Sequence, residues 1–378
     1  MLALGFSAFI AFGVLLVLVG ANQADLARDL DLDLAHSGLL VSSLALGIGI
    51  GVVGAGPIFD RYSRRPLFVA ATLLVAIALL SVDASMGFDR ALVHVLLAGM
   101  GAGAYDTLIS AMVIERYRER SAKPMSAVHA GATLGAVLGP LAAGWIAARH
   151  HWAASFHWTG AAHLALAIAA LFTRLPPPSR LRSAGPRVFS PALIPFAWIA
   201  FAYVGVEAAM TAFAVPYATG AAQLSAARGR TAISAFWFGL LAGRVAVLGL
   251  RRSPGAGLLL AAGIAGSAAI AAGIGLAGNA VEIVFGAVGL ALGSVFPLMI
   301  ALTGQRFPHA RGTSAGLAAG AGALGGFCIP WLTGAIGDRV GIAVAVASLA
   351  LWCLTVAAAA ASLLRWSRPR QSPSRSSS

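Results

Sequence analysis

The sequence predicts an all-α membrane protein with twelve transmembrane helices in two pseudo-symmetric six-helix bundles. Three observations predict it. Apolar runs of membrane-crossing length recur twelve times, only 10% of the 378 residues are charged, and the second half echoes the first at a constant offset of 190 residues. A water-soluble domain carries about a quarter charged residues, because its surface must be solvated. A mean hydropathy of +0.86 leaves lipid as the solvent.

A spanning helix needs about 20 predominantly apolar residues. Such runs occupy 2–21, 37–56, 67–82, 91–114, 125–148, 152–173, 192–218, 231–250, 255–277, 281–303, 313–336 and 341–364. They are long and continuous rather than short and alternating, which excludes a β-barrel. The first run, followed by Ala21-Asn22-Gln23-Ala24, imitates a secretory signal. It lacks a basic leading segment, and its removal would break the even helix count, so it is read as retained. A start upstream of Met1 stays open, because the chain enters the membrane almost at once. The one long polar interval between runs is Pro-rich and basic (LPPPSRLRSAGPR). It divides the chain into an N-terminal bundle over 1–174, a cytoplasmic linker over 175–190, a C-terminal bundle over 191–365 and a disordered cytoplasmic tail over 366–378.

The formal net charge of +13 is distributed by side. With the N-terminus placed in the cytoplasm, nineteen Lys and Arg fall inside, six fall outside (Arg28, Arg90, Arg149, Arg228, Arg230 and Arg339), and Arg244 lies within a run. That asymmetry follows the positive-inside rule and puts both termini in the cytoplasm. The basic balance therefore reports topology and attraction to anionic lipid, not nucleic acid. Cys328 and Cys353 both lie inside runs, so neither a disulfide framework nor a thiolate metal site is indicated.

Internal repeats are common in transporter folds. Adding 190 takes Gly99 to Gly289, Gly103 to Gly293, Leu108 to Leu298 and Arg116 to Arg306. It also takes Leu134, Gly135, Pro140, Gly144 and Ile146 to Leu324, Gly325, Pro330, Gly334 and Ile336. The fourth and fifth runs thus echo the tenth and eleventh. Shared Ala and Gly richness explains some matches by chance, but not the paired Pro-x-x-x-Gly-x-Ile or the equally placed arginines.

The second run closes with Gly56-Pro-Ile-Phe-Asp60-Arg61-Tyr-Ser-Arg64-Arg65-Pro66. This resembles the loop signature of the Major Facilitator Superfamily, Gly-x-Leu-x-Asp-Arg-x-Gly-Arg-Arg, with Ser63 and Ile58 as mild departures. An ordinary basic loop would explain the arginines but not Gly56 and Asp60 at this spacing. The resemblance implies that Asp60 pairs with Arg64 or Arg116 when the cytoplasmic side is closed. In the fifth run, Gly135-x-x-x-Gly139-Pro140-x-x-x-Gly144 resembles the family's Gly-Pro motif, often associated with antiporters. Physically, small residues four apart admit close helix packing, and the proline supplies a bend. Patches around Met125–Gly131, Tyr203–Glu207, Phe236–Arg244 and Gly289–Pro297 look like the fucose-permease-like branch. The Asn-Pro that follows the acid in that branch's fourth span is absent after Asp106, which puts sugar specificity in doubt.

Ionisable groups inside spans are costly and usually face a cavity. Asp106 lies nine residues before Glu115, roughly 13 Å deep at helical rise, and its repeat-mate is Phe296. It is read as the proton or substrate carboxyl, against an interhelical hydrogen-bonder. Glu207 is the second choice, against a role bonding a neighbour's backbone. Arg244 is read as a structural cation, snorkelling or pairing at the cytoplasmic gate. His129 and Trp237 complete the candidate cavity, against the plainer reading that both are packing residues, as is Trp198. Gly135, Gly139, Pro140, Gly144, Pro330 and Gly334 form the packing and gate set. His150, His151 and His157 cluster outside with no acidic or cysteine neighbour in sequence, and no metal is assigned there. The resemblance implies that the third, ninth and twelfth spans are peripheral, and those runs carry no charge.

The sequence has no His-Glu-x-x-His and no phosphate-cradling glycine loop with Lys. The resemblance implies a secondary transporter of a small organic solute, proton-coupled, monomeric, needing no cofactor and sitting in the inner membrane. A proton-driven drug or metabolite efflux antiporter is the alternative, disfavoured by the lack of an arginine before Gly99. A non-transporting sensor or scaffold would be expected to lose the loop signature and the cavity charges.

Overall fold

The computed structural model describes residues 1–59, 62–176, 190–248, 250, 254–275 and 280–367. Asp60, Arg61, the linker from 177 to 189 and the tail from 368 lie outside the described residues, as do the side-chain surroundings of Gly56.

The described residues are helical, without strands. The helices are α1 (Leu2–Ala21), α2 (Gln23–Asp29), α3 (Leu34–Phe59), α4 (Arg64–Leu80), α5 (Phe88–Tyr117), α6 (Ala122–Ala147) and α7 (Ala153–Phe172) in the first half. The second half has α8 (Ile194–Pro216), α9 (Ala226–Leu248), α10 (Ala256–Gly275), α11 (Val281–Leu292), α12 (Val295–Arg306), α13 (Arg311–Val340) and α14 (Ile342–Ser367). A lipid-embedded backbone must satisfy its own polar groups, and helices do so within each segment. Among the described residues, ten segments are long and apolar enough to cross a membrane, with α11 and α12 together forming one of them. The 17-residue α4 and the arginine-bearing α9 complete the twelve spans. α2 is a short helix outside the membrane, between the first two spans.

The small residues of the repeat set how the helices approach. A Cβ on Gly135 would run into the backbone of Ile10 on α1, and one on Gly325, its repeat-mate, into that of Phe201 on α8. A Cβ on Gly99 or Gly103 would meet α3 backbone, and one on Gly289 or Gly293 would meet α9 backbone. One further turn or more along, the repeat reaches across the molecule: Gly144 lies against Arg230 of α9, and Gly334 against Leu34 of α3. α3 packs on α13 and α6 on α9, so these two pairs form the main seam between the halves. α4, α10 and α14 pack on helices of their own half.

An even number of spans puts both termini at one end of the bundle. The halves meet at the opposite, far end. There Gly20 packs on Thr211, Gly38 on Pro330 and Gly334 on Leu34, in each case backbone against backbone. Toward the terminal end that close contact is not repeated at three glycines: a Cβ on Gly54, Gly316 or Gly320 would meet nothing within 4 Å.

Candidate functional site

Two polar assemblies join the halves, one at the far end and one inside the bundle. The far-end assembly starts from two helix termini. The first turn of a helix leaves backbone N–H groups unsatisfied, and a carboxylate there is favoured by both hydrogen bonding and the helix dipole. Asp338 of α13 supplies one across the seam, accepting from the backbone N–H groups of Leu34 at 2.9 Å and Ala35 at 2.8 Å. Arg230 of α9, 9% exposed, serves the other terminus. Its Nε donates to the Ala21 carbonyl at the end of α1 at 2.8 Å, and its Nη2 to Asp25 of α2 at 2.9 Å. Asp29 beside it accepts from Trp152 Nε1 at 2.8 Å and meets His151 Nε2 at 3.0 Å. The Trp152 N–H and the Arg28 guanidinium hold the Asp29 carboxyl below the usual carboxylate range. His151 therefore does have an acidic partner, brought from another helix, while His157 turns to the Val82 carbonyl at 2.7 Å.

The inner assembly is built around a break in the tenth span. Pro297 is in the first turn of α12 and has no backbone N–H, so the carbonyl of Gly293, four residues earlier, has no helical donor. Arg244 Nε donates to that carbonyl at 3.3 Å. Its Nη1 donates to Thr133 Oγ1 of α6 at 3.2 Å, a bond that crosses from one half to the other. Arg244 thus neither snorkels to the terminal surface nor pairs at a gate there. It turns inward because the bare carbonyl and the hydroxyl are there to receive it.

Glu207 is half-buried on α8 and lies within electrostatic reach of Arg244. Its Oε2 accepts from the Tyr203 hydroxyl one turn away at 2.5 Å. Tyr203 also stacks on Phe296, with ring centroids 6.0 Å apart. Trp237 is buried, and its Nε1 donates to Thr211 Oγ1 at 3.2 Å. That hydroxyl in turn donates to the Glu207 backbone carbonyl at 2.9 Å, so α9 braces the helix that carries the acid. His129 is exposed on α6, one turn from Thr133 toward the terminal end, and packs edge-on against Phe9 at 4.5 Å.

Asp106 stands apart from this cluster in its contacts. It is half-buried on α5, and Ser110 Oγ donates to its Oδ1 at 3.4 Å. Its neighbour Tyr105 is fully buried and meets His163 Nε2 of α7 at 3.2 Å. His163 was not singled out from the sequence, because one histidine in an apolar run gives no signal of its partner. The structure brings Glu207, Arg244, Tyr203 and Thr133 together and leaves Trp198 packed on Phe201 and Trp352. In the loop signature, Arg64 donates to Glu115 of α5 at 2.7 Å, and Arg65 to the Thr173 carbonyl at 3.1 Å. The expected partner Asp60 lies outside the described residues.

Residues 3–327 match the family described as the Major Facilitator Superfamily. The 4-hydroxybenzoate transporter PcaK of Pseudomonas aeruginosa is 30% identical over 159 residues, which cover 41% of this chain and 35% of that protein. The cis,cis-muconate transport protein of Acinetobacter baylyi is 26% identical over 156 residues, 40% of this chain and 37% of that protein. The matches thus span little more than a third of each relative's length. Among solved structures, a D-xylose-proton symporter superposes with a TM-score of 0.77 at 16% identity, over 97% of this chain and 96% of that one.

Proposed function

The chain belongs to the Major Facilitator Superfamily, and on that premise we propose that it is a proton-coupled secondary transporter moving a small organic solute by alternating access. One observation carries this reading: the halves touch backbone to backbone at the far end while three glycines toward the terminal end face open space, with ionisable side chains held inside the bundle. With both termini in the cytoplasm of an inner-membrane protein, as the positive-inside bias implies, this is the inward-facing arrangement. Asp106 is the first candidate for the proton and Glu207 the second. Dehydration favours the neutral form of a carboxyl in general. A carboxyl that gains a proton removes a charge that opposes closure around it and so shifts the population toward the other-facing state.

The similar proteins do not agree on a solute: two relatives are named for carboxylates and the structural neighbour for a sugar and a proton. The fucose-permease-like resemblance rests on the four sequence patches and remains part of this proposal, as does a monomeric state. A second reading, an efflux antiporter, is favoured by the Gly135–Gly144 motif, whose glycines take α1 and Arg230 at close range.

The test is transport in proteoliposomes under an imposed proton gradient, with a panel of sugars, carboxylates and cationic dyes. The reading predicts gradient-dependent accumulation of at least one solute in the uptake direction. Accumulation only in the efflux direction would favour the antiporter. Movement that ignores the gradient for every solute would remove proton coupling.

A further inference from the structure

We infer that the transported solute is an organic anion, and that its carboxylate is received by the Arg244 guanidinium beside Thr133 and the Gly293 break. This rests on the transport reading and names the class of its substrate.

A cation inside a membrane protein needs an acceptor, and an unpaired one is expensive. Among the described residues, the ion pairs within 4.0 Å are made by Arg28, Arg64, Arg228, Arg230, His36 and His151, and none by Arg244. The nearby acid does not take it, because the Glu207 carboxylate accepts from the Tyr203 hydroxyl instead. The hydrogen-bond partners of Arg244 are neutral oxygens, the Gly293 carbonyl and the Thr133 hydroxyl on opposite sides of the seam, with the Tyr203 hydroxyl also beside it. A guanidinium carries five N–H donors in a planar fork that matches a carboxylate. These two bonds hold the fork in place through Nε and Nη1 and spend only part of it.

The site is also reachable. His129 and Ser126 lie on α6 one and two turns from Thr133 toward the terminal end, and both are exposed. Positions three and four apart share a helix face, so they mark a path from the open end to Thr133 and Arg244. A solute arriving along it meets the guanidinium where the two halves are joined by a single arginine–threonine bond. A carboxylate taking Nη1 would replace that bond, which ties solute binding to the contact between the halves. A neutral solute could replace the hydrogen bond but would bring no charge to pair with the guanidinium.

Equilibrium binding to the full chain in nanodiscs tests the inference without any gradient. The probes are a set of aromatic and aliphatic carboxylates, benzoate among them, each paired with its own amide. At least one carboxylate should bind, and its amide should bind about tenfold or more weakly. Arg244→Gln should lose that preference, and Arg244→Lys, which keeps the charge without the fork, should keep it at reduced affinity. Glu207→Gln, which removes the neighbouring negative charge, should leave carboxylate binding as tight or tighter. If Arg244→Gln fails to fold, the lysine and glutamine variants at 244 and 207 that do fold carry the test. The inference is overturned if no carboxylate binds better than its amide, if Arg244→Gln keeps the preference, or if Glu207→Gln weakens it. A protein that binds carboxylates selectively but shows no proton-driven accumulation would keep this inference and lose the coupling.

Discussion

α5 runs unbroken through Gly103, whereas its counterpart in the second half stops at Leu292 and starts again at Val295. The two segments are related by the 190-residue offset, and both pack glycines against a neighbouring helix at close range. What separates them is one residue. Thr107 keeps a backbone N–H for the Gly103 carbonyl, and its hydroxyl adds a second donor at 2.9 Å. Pro297, in the equivalent place, offers none, and an arginine from α9 takes over. A repeat therefore fixes where helices touch, while two differences inside it, Pro297 for Thr107 and Arg244 for Gly54, put the bare carbonyl and the cation in the second half. The same offset places an acid, Asp106, where the other half has Phe296. The halves have the same scaffold and divide the chemistry.

Exchanging the features of the two segments should have graded effects. The largest is expected from Gly293→Leu, whose side chain would displace α9 backbone at Leu240, costing about 3 kcal/mol or more. Gly320→Leu, which faces open space, should stay within about 0.5 kcal/mol. Equal melting temperatures for the two variants would show that the close approach is not a constraint. Thr107→Pro should come next, at about 3 kcal/mol, because it creates a break in α5 with no arginine to serve it. Were that variant as stable as the parent, the proline would not be what separates the two spans. Smaller still is the coupling between Arg244 and Pro297. Arg244→Met should cost about 1–3 kcal/mol by orphaning the Gly293 carbonyl, and clearly less in a Pro297→Ala background, where the helix can satisfy that carbonyl itself. Additive effects in that double-mutant cycle would reduce the hydrogen bond to a bystander. At the far end, Asp338→Asn should weaken the cap on α3 by about 0.5–2 kcal/mol. It should also raise labelling of cysteines introduced along the seam from the far side, and unchanged labelling would argue against a closing role.

How much of this was legible in the sequence divides along the same line. The glycines at 99, 103, 289 and 293 were visible as matched pairs, because close packing demands small residues at fixed spacing and spacing survives in a sequence. The twelve spans were visible for the same reason, since bilayer thickness sets a length. The break at Gly293 was not drawn from the pattern, although Pro297 stood in it, because a proline near a helix start can also be tolerated without one. Arg244 was assigned to the terminal side because its acceptors lie on α6 and α11, and nothing local in α9 points to them. From the sequence Arg230 counts only as a basic residue outside the membrane, and Asp338 gives no signal at all. Their partners, the start of α3 and the end of α1, are about three hundred and two hundred residues away in sequence. Partners across a seam are set by assembly of the halves and leave no local trace.

The division of chemistry between the halves makes Asp106 the account's central residue, an acid whose repeat-mate, Phe296, carries no charge. Its most direct test compares exchange with accumulation for Asp106→Asn in proteoliposomes, using whichever solute the wild type accumulates. A permanently neutral side chain should still bind and exchange solute down its gradient, but should fail to concentrate it when a proton gradient is imposed. Glu207→Gln, measured beside it, should retain proton-driven accumulation. If Asp106→Asn accumulates solute with normal pH dependence while Glu207→Gln does not, the proton belongs to the α8 cluster and the assignment to α5 is wrong.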